Sequence, residues 1–368
     1  MIINNIDTKN ISFVVQGEID SVNTPKCLES IRKNFPGSTI ILSAWEKSDV
    51  GKLDFDILVC TRDPGGCPYD IYGVSNNINR QILSSRAGME KVTTDYVAKV
   101  RNDLIFDGAN FLYYFNKFPQ YNNEYKKVQS RMIALSVYSR LFHFAPQFGK
   151  VINLPFYFSD WFLFGFAEDI KNFYATPLIE DLSAFSSFYL TSSFEQSNKF
   201  PFQGYWSKMT PENYLTSSFF SRAMGRELYE NRMICDNNTM NMSTHLIANN
   251  VVILDYAHSK IYSGKWEGIS KNEFSLHPFD ACSLIFYSDF VGMYKRCCDK
   301  NFVIPKELKS NDIAKMKCVA NFLLINPMKS KLLILKEKIK DILKRIMHKT
   351  NPAYHVADGI RNEILNRR

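Results

Sequence analysis

The segment that most constrains this chain is Ile11-Ser12-Phe13-Val14-Val15-Gln16-Gly17, a β-rich run closed by a glycine. It reads as a buried first strand. Thr24 to Asn34 follows with Leu28 and Ile31 on a helical stripe, Thr24 as a cap candidate and Pro25 in the first turn; Pro36-Gly37 breaks it. Second and third strands are expected at Ser38–Ser43 and Phe55–Cys60, and Asp63-Pro64-Gly65-Gly66 is a turn. Ser75 to Gly88 reads as a polar helix with Ile78, Ile82 and Leu83 inward. Tyr96–Val100 is then a fourth strand running into Arg101-Asn102-Asp103. Strand, helix, strand, strand, helix, strand predicts an α/β fold built on an open, mostly parallel sheet with helices on its faces. Ligands of such sheets gather beyond the carboxyl ends of the strands. Gln16, Gly17, Glu18, Ser43, Trp45 and Asp103 all fall at or just past those ends.

The rest of the chain is patterned less sharply. Aromatics make up 14% of the residues and concentrate between about 111 and 229, where core packing is their ordinary role. A late strand is expected at 251–257 and a helix at 279–298. Nothing before Asn326 resembles a linker. Residues 1–326 are therefore expected to form one catalytic unit, with a donor half over about 1–110 and an acceptor half over about 111–326.

Residues 327–368 form a tail of different character. From Lys329 to Arg368 there are 11 Lys and Arg against 4 Asp and Glu, which supplies most of the chain's net charge of +8. Leu332, Leu335, Ile339, Ile342, Leu343 and Ile346 recur at helical steps, with lysines mostly between them. This is a basic amphipathic helix. It suits an anionic membrane surface through residues 329–349, or alternatively packing on the body or on a second subunit. A near-neutral body with a basic tail argues against a broad nucleic-acid-binding face.

Other chemistries find little support. The 8 cysteines form no CxxC, and no paired Cys/His spacing suggests structural zinc. Asn4, Asn5, Asp7 and Lys9 interrupt any apolar leader, so reduced thiols and a cytoplasmic protein are expected. No stretch is apolar and long enough to span a bilayer. The histidines show no ligand spacing, and neither a P-loop nor a GxGxxG occurs.

Several residues can carry chemistry. Asp103, ending a hydrophobic strand, is placed to help a divalent cation hold a diphosphate, with Lys99 and Arg101 pairing phosphate oxygens. Surface ion pairs are the plain alternative. Asn77 and Arg80 share a helical face; Arg80 suits either a phosphate or a salt bridge to Asp56 or Asp63. Trp45 either stacks on a nucleotide or lids the core. Asp160 stands among Phe156, Tyr157, Phe158, Trp161, Phe162 and Phe164, where desolvation would raise its pKa toward that of a general base. Its alternative is an N-cap, with Ser159-Asp160 opening a helix through Phe164. Glu212 is the rival base, or else a first-turn helix acid.

Eight pieces carry a resemblance to a known family. They are Phe13–Gly17, Cys27–Lys33, Phe35–Ser38, Ile41–Glu46, Asn76–Gln81, Tyr96–Leu104, Phe158–Gly165 and Pro211–Leu215. In these pieces, and in their order over most of residues 11–230, the chain resembles the WavE family, associated with lipopolysaccharide core synthesis. The resemblance implies a GT-A-like fold, a Rossmann-type central sheet with flanking helices, here followed by the C-terminal amphipathic helix. It also implies a nucleotide-sugar-dependent glycosyltransferase, a hexosyltransferase in expectation. The acceptor would be lipopolysaccharide core, O-antigen or capsule, free or lipid-linked, at the inner face of the cytoplasmic membrane. An Asp-x-Asp motif ends a strand in that fold and holds a metal–nucleotide pair. This chain departs from it with Arg101-Asn102-Asp103. Either Asp103 alone ligates Mn²⁺ or Mg²⁺, or Arg101 takes over part of the metal's charge. Gln16, Gly17 and Glu18 would then seat the nucleotide, with Asn77 and Arg80 as further donor contacts. The missing second acid also leaves a different class open, a non-catalytic scaffold of glycan assembly that keeps the fold.

Overall fold

The run at Ile11–Gln16 becomes an interior strand of a seven-stranded sheet, next to the middle one. The computed structural model describes residues 1–68, 74–145, 150–191, 207–232, 234, 236–271 and 283–308. The central strands are β1 (Ile11–Gln16), β2 (Thr39–Trp45), β3 (Ile57–Thr61), β4 (Tyr96–Arg101), β5 (Met132–Leu135), β6 (Phe162–Phe166) and β7 (Val251–Leu254), in the spatial order β7-β5-β6-β4-β1-β2-β3. Every pairing is parallel except those of β6, which runs against both β4 and β5. All six residues of β1 are buried, as a strand covered on both faces requires, whereas the edge strand β3 alternates half-buried and exposed positions.

Helices α1 (Asn23–Asn34), α2 (Ile78–Met89), α3 (Ala167–Tyr174), α4 (Pro211–Met224), α5 (Asn237–Asn250) and α6 (Tyr287–Cys297) flank the sheet. On one face Phe13 packs against Phe35 and Phe106, and Phe111 meets Phe162 and Phe164, all with ring centroids within 6 Å. On the other face α2 lies close on β1. A Cβ on Gly88 would come within 2.4 Å of Val14 Cγ1, so that crossing needs glycine. The Ser43 hydroxyl donates to the Ser84 carbonyl at 2.7 Å and ties α2 to β2 as well.

Several expectations need correction. Thr24 does not cap α1. Asp20 Oδ1 does, accepting the N–H groups of Val22 and Asn23, while the Thr24 hydroxyl oxygen accepts from Asp20 N and Asn102 Nδ2. In α2 the small Ser84 and Ser85 are buried and Leu83 only half-buried, because the helix sits too near β1 for a leucine. Residues 162–166 form a strand, not a helix opened by Ser159-Asp160; pairing with β4 and β5 on both sides overrides the cap signal. The late strand stops at Leu254, where Asp255 caps the short helix Tyr256–Ser259. Helix α6 begins only at Tyr287, and residues 279–282 lie outside the described residues. The basic tail at 327–368, with its proposed membrane face at 329–349, also lies outside them. Among the described residues no helix is long and apolar enough to cross a membrane.

From β1 the chain steps outward through β2 and β3, then returns to place β4 on β1's other side. Strand order therefore reverses between β1 and β4, and the crevice beyond their carboxyl ends is where an open α/β sheet admits a ligand.

Candidate functional site

The two strand ends at the reversal are stitched together. Asn102 N donates to the Gln16 carbonyl at 3.0 Å, and its side-chain amide donates to the Glu18 carbonyl and to Thr24 Oγ1. Gly17 sits at φ +135°, and a Cβ there would stand 2.8 Å from Asn102 Oδ1. Glycine is thus required both by the backbone and by the neighbouring amide. Gln16 is 5% exposed, with its amide oxygen accepting from the Ser84 hydroxyl at 2.8 Å, so its side chain braces α2. Glu18, one residue past the glycine, is exposed.

Between α1 and residues 46–54, reaching the carboxyl ends of β1, β2 and β3, lies a cleft of about 1100 Å³, lined by Glu18, Leu28, Trp45, Lys47, Lys52 and Arg62 among others. Its size suits a nucleotide-sized ligand. Trp45 is half-buried at the end of β2 and offers part of its ring system to the cleft. Lys47, Lys52 and Arg62 stand in the wall with no carboxylate in ion-pair range among the described residues. Asp63 also lines this cleft, and Arg80 forks onto it: Nε to Oδ1 at 2.7 Å and Nη2 to Oδ2 at 2.6 Å. The Arg80 guanidinium holds the Asp63 carboxyl below its usual range. Its remaining nitrogen donates to Asn77 Oδ1 at 2.9 Å. Asn77 and Arg80 are therefore joined to each other and to Asp63.

Across β1, the end of β4 is more enclosed. Strand alternation turns Lys99 and Arg101 to the same face, but Lys99 lies two residues deeper and is fully buried. Its ammonium donates to the Asp160 carbonyl and lies 5.6 Å from the Tyr174 ring centroid. Burial lowers its pKa to about 8 against the opposing pull of Asp160. Lys99 therefore serves the interior, below the level of the crevice. Arg101 reaches further: its side chain is 27% exposed and its guanidinium lies 3.8 Å over the Trp161 ring. It forks onto Asp103, Nε to Oδ1 at 3.0 Å and Nη2 to Oδ2 at 2.8 Å. The Ser263 hydroxyl adds a third bond to Oδ2 at 2.7 Å, from the ribbon Ile261–Ser263 that pairs with Leu104–Phe106.

Asp160 precedes β6 and so stands at the same end of the sheet. It is 2% exposed, and Oδ2 has no hydrogen-bond partner among the described residues. Glu212 occupies the first turn of α4, behind the Thr210 cap, and is half-buried. Its pKa is raised to about 7, first by burial and then by the charge of Asp160, against the Thr210 hydroxyl and Arg140. The two carboxyls that sequence offers as rivals are electrostatic neighbours.

A divalent cation takes several hard oxygen ligands. At Asp103 it would compete with the Arg101 guanidinium and the Ser263 hydroxyl for the carboxylate, and among the described residues no three His, Cys, Asp or Glu side chains stand together to hold it. With its carboxylate already engaged by a guanidinium, the arrangement does not fit a resident cation. Sequence gave no sign of Ser263, 160 residues from its partner, or of Ser84 holding Gln16. The Asn102 lock was within reach, since it lies inside the Arg101-Asn102-Asp103 triplet.

A mixed α/β protein with a polar, aromatic-flanked crevice where its strand order reverses is the class that this geometry defines. The family model described as WavE lipopolysaccharide synthesis matches residues 11–307, and the chain belongs to that family. Comparison with curated proteins finds no match.

Proposed function

We propose that the chain is a glycosyltransferase of the GT-A kind, moving a sugar from a nucleotide-sugar donor to a cell-surface glycan such as lipopolysaccharide core, O-antigen or capsule. The observation that carries this reading is a nucleotide-sized cleft beginning at the end of β1, beside the strand-order reversal, in a chain of a lipopolysaccharide-synthesis family. The base and ribose would lie in the cleft, against Trp45 and Glu18. The diphosphate would cross the glycine at 17 toward Arg101. In transfer, the bond between the anomeric carbon and the diphosphate oxygen breaks, and its electron pair leaves with the diphosphate. An acceptor oxygen bonds to that carbon and gives up its proton. Glu212, half-buried with a pKa about 7, is better exposed to receive that proton than Asp160, which tunes it by charge. The basic tail would hold the enzyme on the inner membrane surface beside a lipid-linked acceptor.

Thermal melting of the full chain with UDP, GDP or CMP, with and without Mn²⁺ or Mg²⁺, tests the reading. Stabilisation by one nucleotide is expected, and none by any of them would favour a non-catalytic scaffold. Deleting residues 329–368 should move the protein from the membrane to the soluble fraction; unchanged partitioning would refute the membrane address.

A further inference from the structure

Where a fold of this kind would clamp a diphosphate through a metal, this chain has an arginine whose position is already fixed. Asp103 is 5% exposed, and both of its oxygens are taken by Arg101 and Ser263. The aspartate therefore behaves as a bracket for the arginine. The Trp161 ring centroid lies 3.8 Å from the guanidinium carbon and covers it there. Nε and Nη2 are engaged, while Nη1 has no hydrogen-bond partner among the described residues, and the side chain keeps contact with solvent. Guanidinium is weakly hydrated and matches phosphate oxygens in a planar geometry, so a held guanidinium with one open edge is a ready anion contact. It sits opposite Gln16 across the β1–β4 register, one strand over from the cleft that Glu18 lines.

We propose that the Arg101 guanidinium, braced by Asp103, Ser263 and Trp161, binds the diphosphate of the nucleotide without a divalent cation. The inference rests on the glycosyltransferase reading and assigns the charge that its site uses. It gives Asp103 a positioning role, as the group that aims Arg101.

Isothermal titration of the full chain with UDP and with GDP, in EDTA and again in Mn²⁺ or Mg²⁺, is the test. The nucleotide that binds should do so within about 3-fold of the same affinity in EDTA and in metal. Arg101→Met should weaken it at least about 10-fold in EDTA, the loss of one charge-assisted hydrogen bond. Arg101→Lys should recover part of that loss. Asp103→Asn keeps one acceptor for Arg101 and loses the other, so it should weaken binding less than Arg101→Met does, and equally in EDTA and in metal; circular dichroism and melting confirm that the variants fold. Binding that requires Mn²⁺ or Mg²⁺ and disappears in Asp103→Asn would overturn the inference and leave the glycosyltransferase reading standing. Nucleotide binding in EDTA that Arg101→Met leaves unchanged would also overturn it. No binding of either nucleotide under any condition would overturn the inference, and with no stabilisation by CMP either it would remove the glycosyltransferase reading as well.

Discussion

Two arginines at the carboxyl end of the sheet each fork onto an aspartate, and their surroundings differ. Arg80 and Asp63 meet at the cleft wall with about a third of each side chain in water. Arg101 and Asp103 meet between Trp161 and Ser263, where the aspartate side chain is only 7% exposed. Contact distances are alike, at 2.6 and 2.8 Å for the closest pairs. Water decides their worth, because an exposed pair is screened and competes with hydration, whereas a buried carboxylate cannot replace a lost cation with water. The first pair can be broken at little cost. The second holds a cation in place at the crevice.

Breaking the enclosed pair should have the largest effect on stability. Arg101→Met leaves a buried carboxylate with one hydroxyl partner and should cost about 2–4 kcal/mol, below the fully buried case because Arg101 keeps some contact with water. Urea unfolding would register it as a lower midpoint. Gly17→Ala tests the lock between the two strand ends; with φ at +135° and Asn102 Oδ1 in the way, about 1–3 kcal/mol should be lost. A loss near zero would mean that Asn102 moves aside freely.

The carboxyl pair gives a smaller, pH-dependent signal. Glu212 binds its proton more tightly in the folded chain than at its ordinary value of 4.5. Its contribution to stability is therefore full below about 4.5 and is lost as pH rises through about 7. Glu212→Gln should flatten stability across that window. If Glu212 accepts the acceptor's proton, the rate should rise with a midpoint near 7, and Asp160→Asn should move that midpoint downward. A limb that does not move would detach Asp160 from the base. Smallest of all is Arg80→Ala, expected to cost under about 1 kcal/mol and to lose even that at high salt.

How much of this was legible in sequence follows the reach of each interaction. Strands β1, β2 and β4 and helices α1 and α2 declare themselves through local periodicity, and the glycine at 17 marks the strand end. Strand β6 is misread because Phe-Leu-Phe-Gly-Phe is apolar at every position and has no period to distinguish strand from helix. Lys99 looks like a phosphate ligand in a string of charged residues, until strand alternation and depth put it under α3. The difference between the two arginines depends on Ser263 and Trp161, both brought in by tertiary contacts that no local pattern encodes.

The most direct measurement is release of nucleotide from a panel of nucleotide sugars, with an acceptor glycan, by wild type, Arg80→Ala and Arg101→Met at equal folded fraction. Turnover is predicted for wild type, within about 3-fold of it for Arg80→Ala, and at least about 100-fold lower for Arg101→Met, the scale of losing one oriented charge at a leaving group. Equal rates for wild type and Arg101→Met, or no turnover of any donor by wild type, would contradict the account.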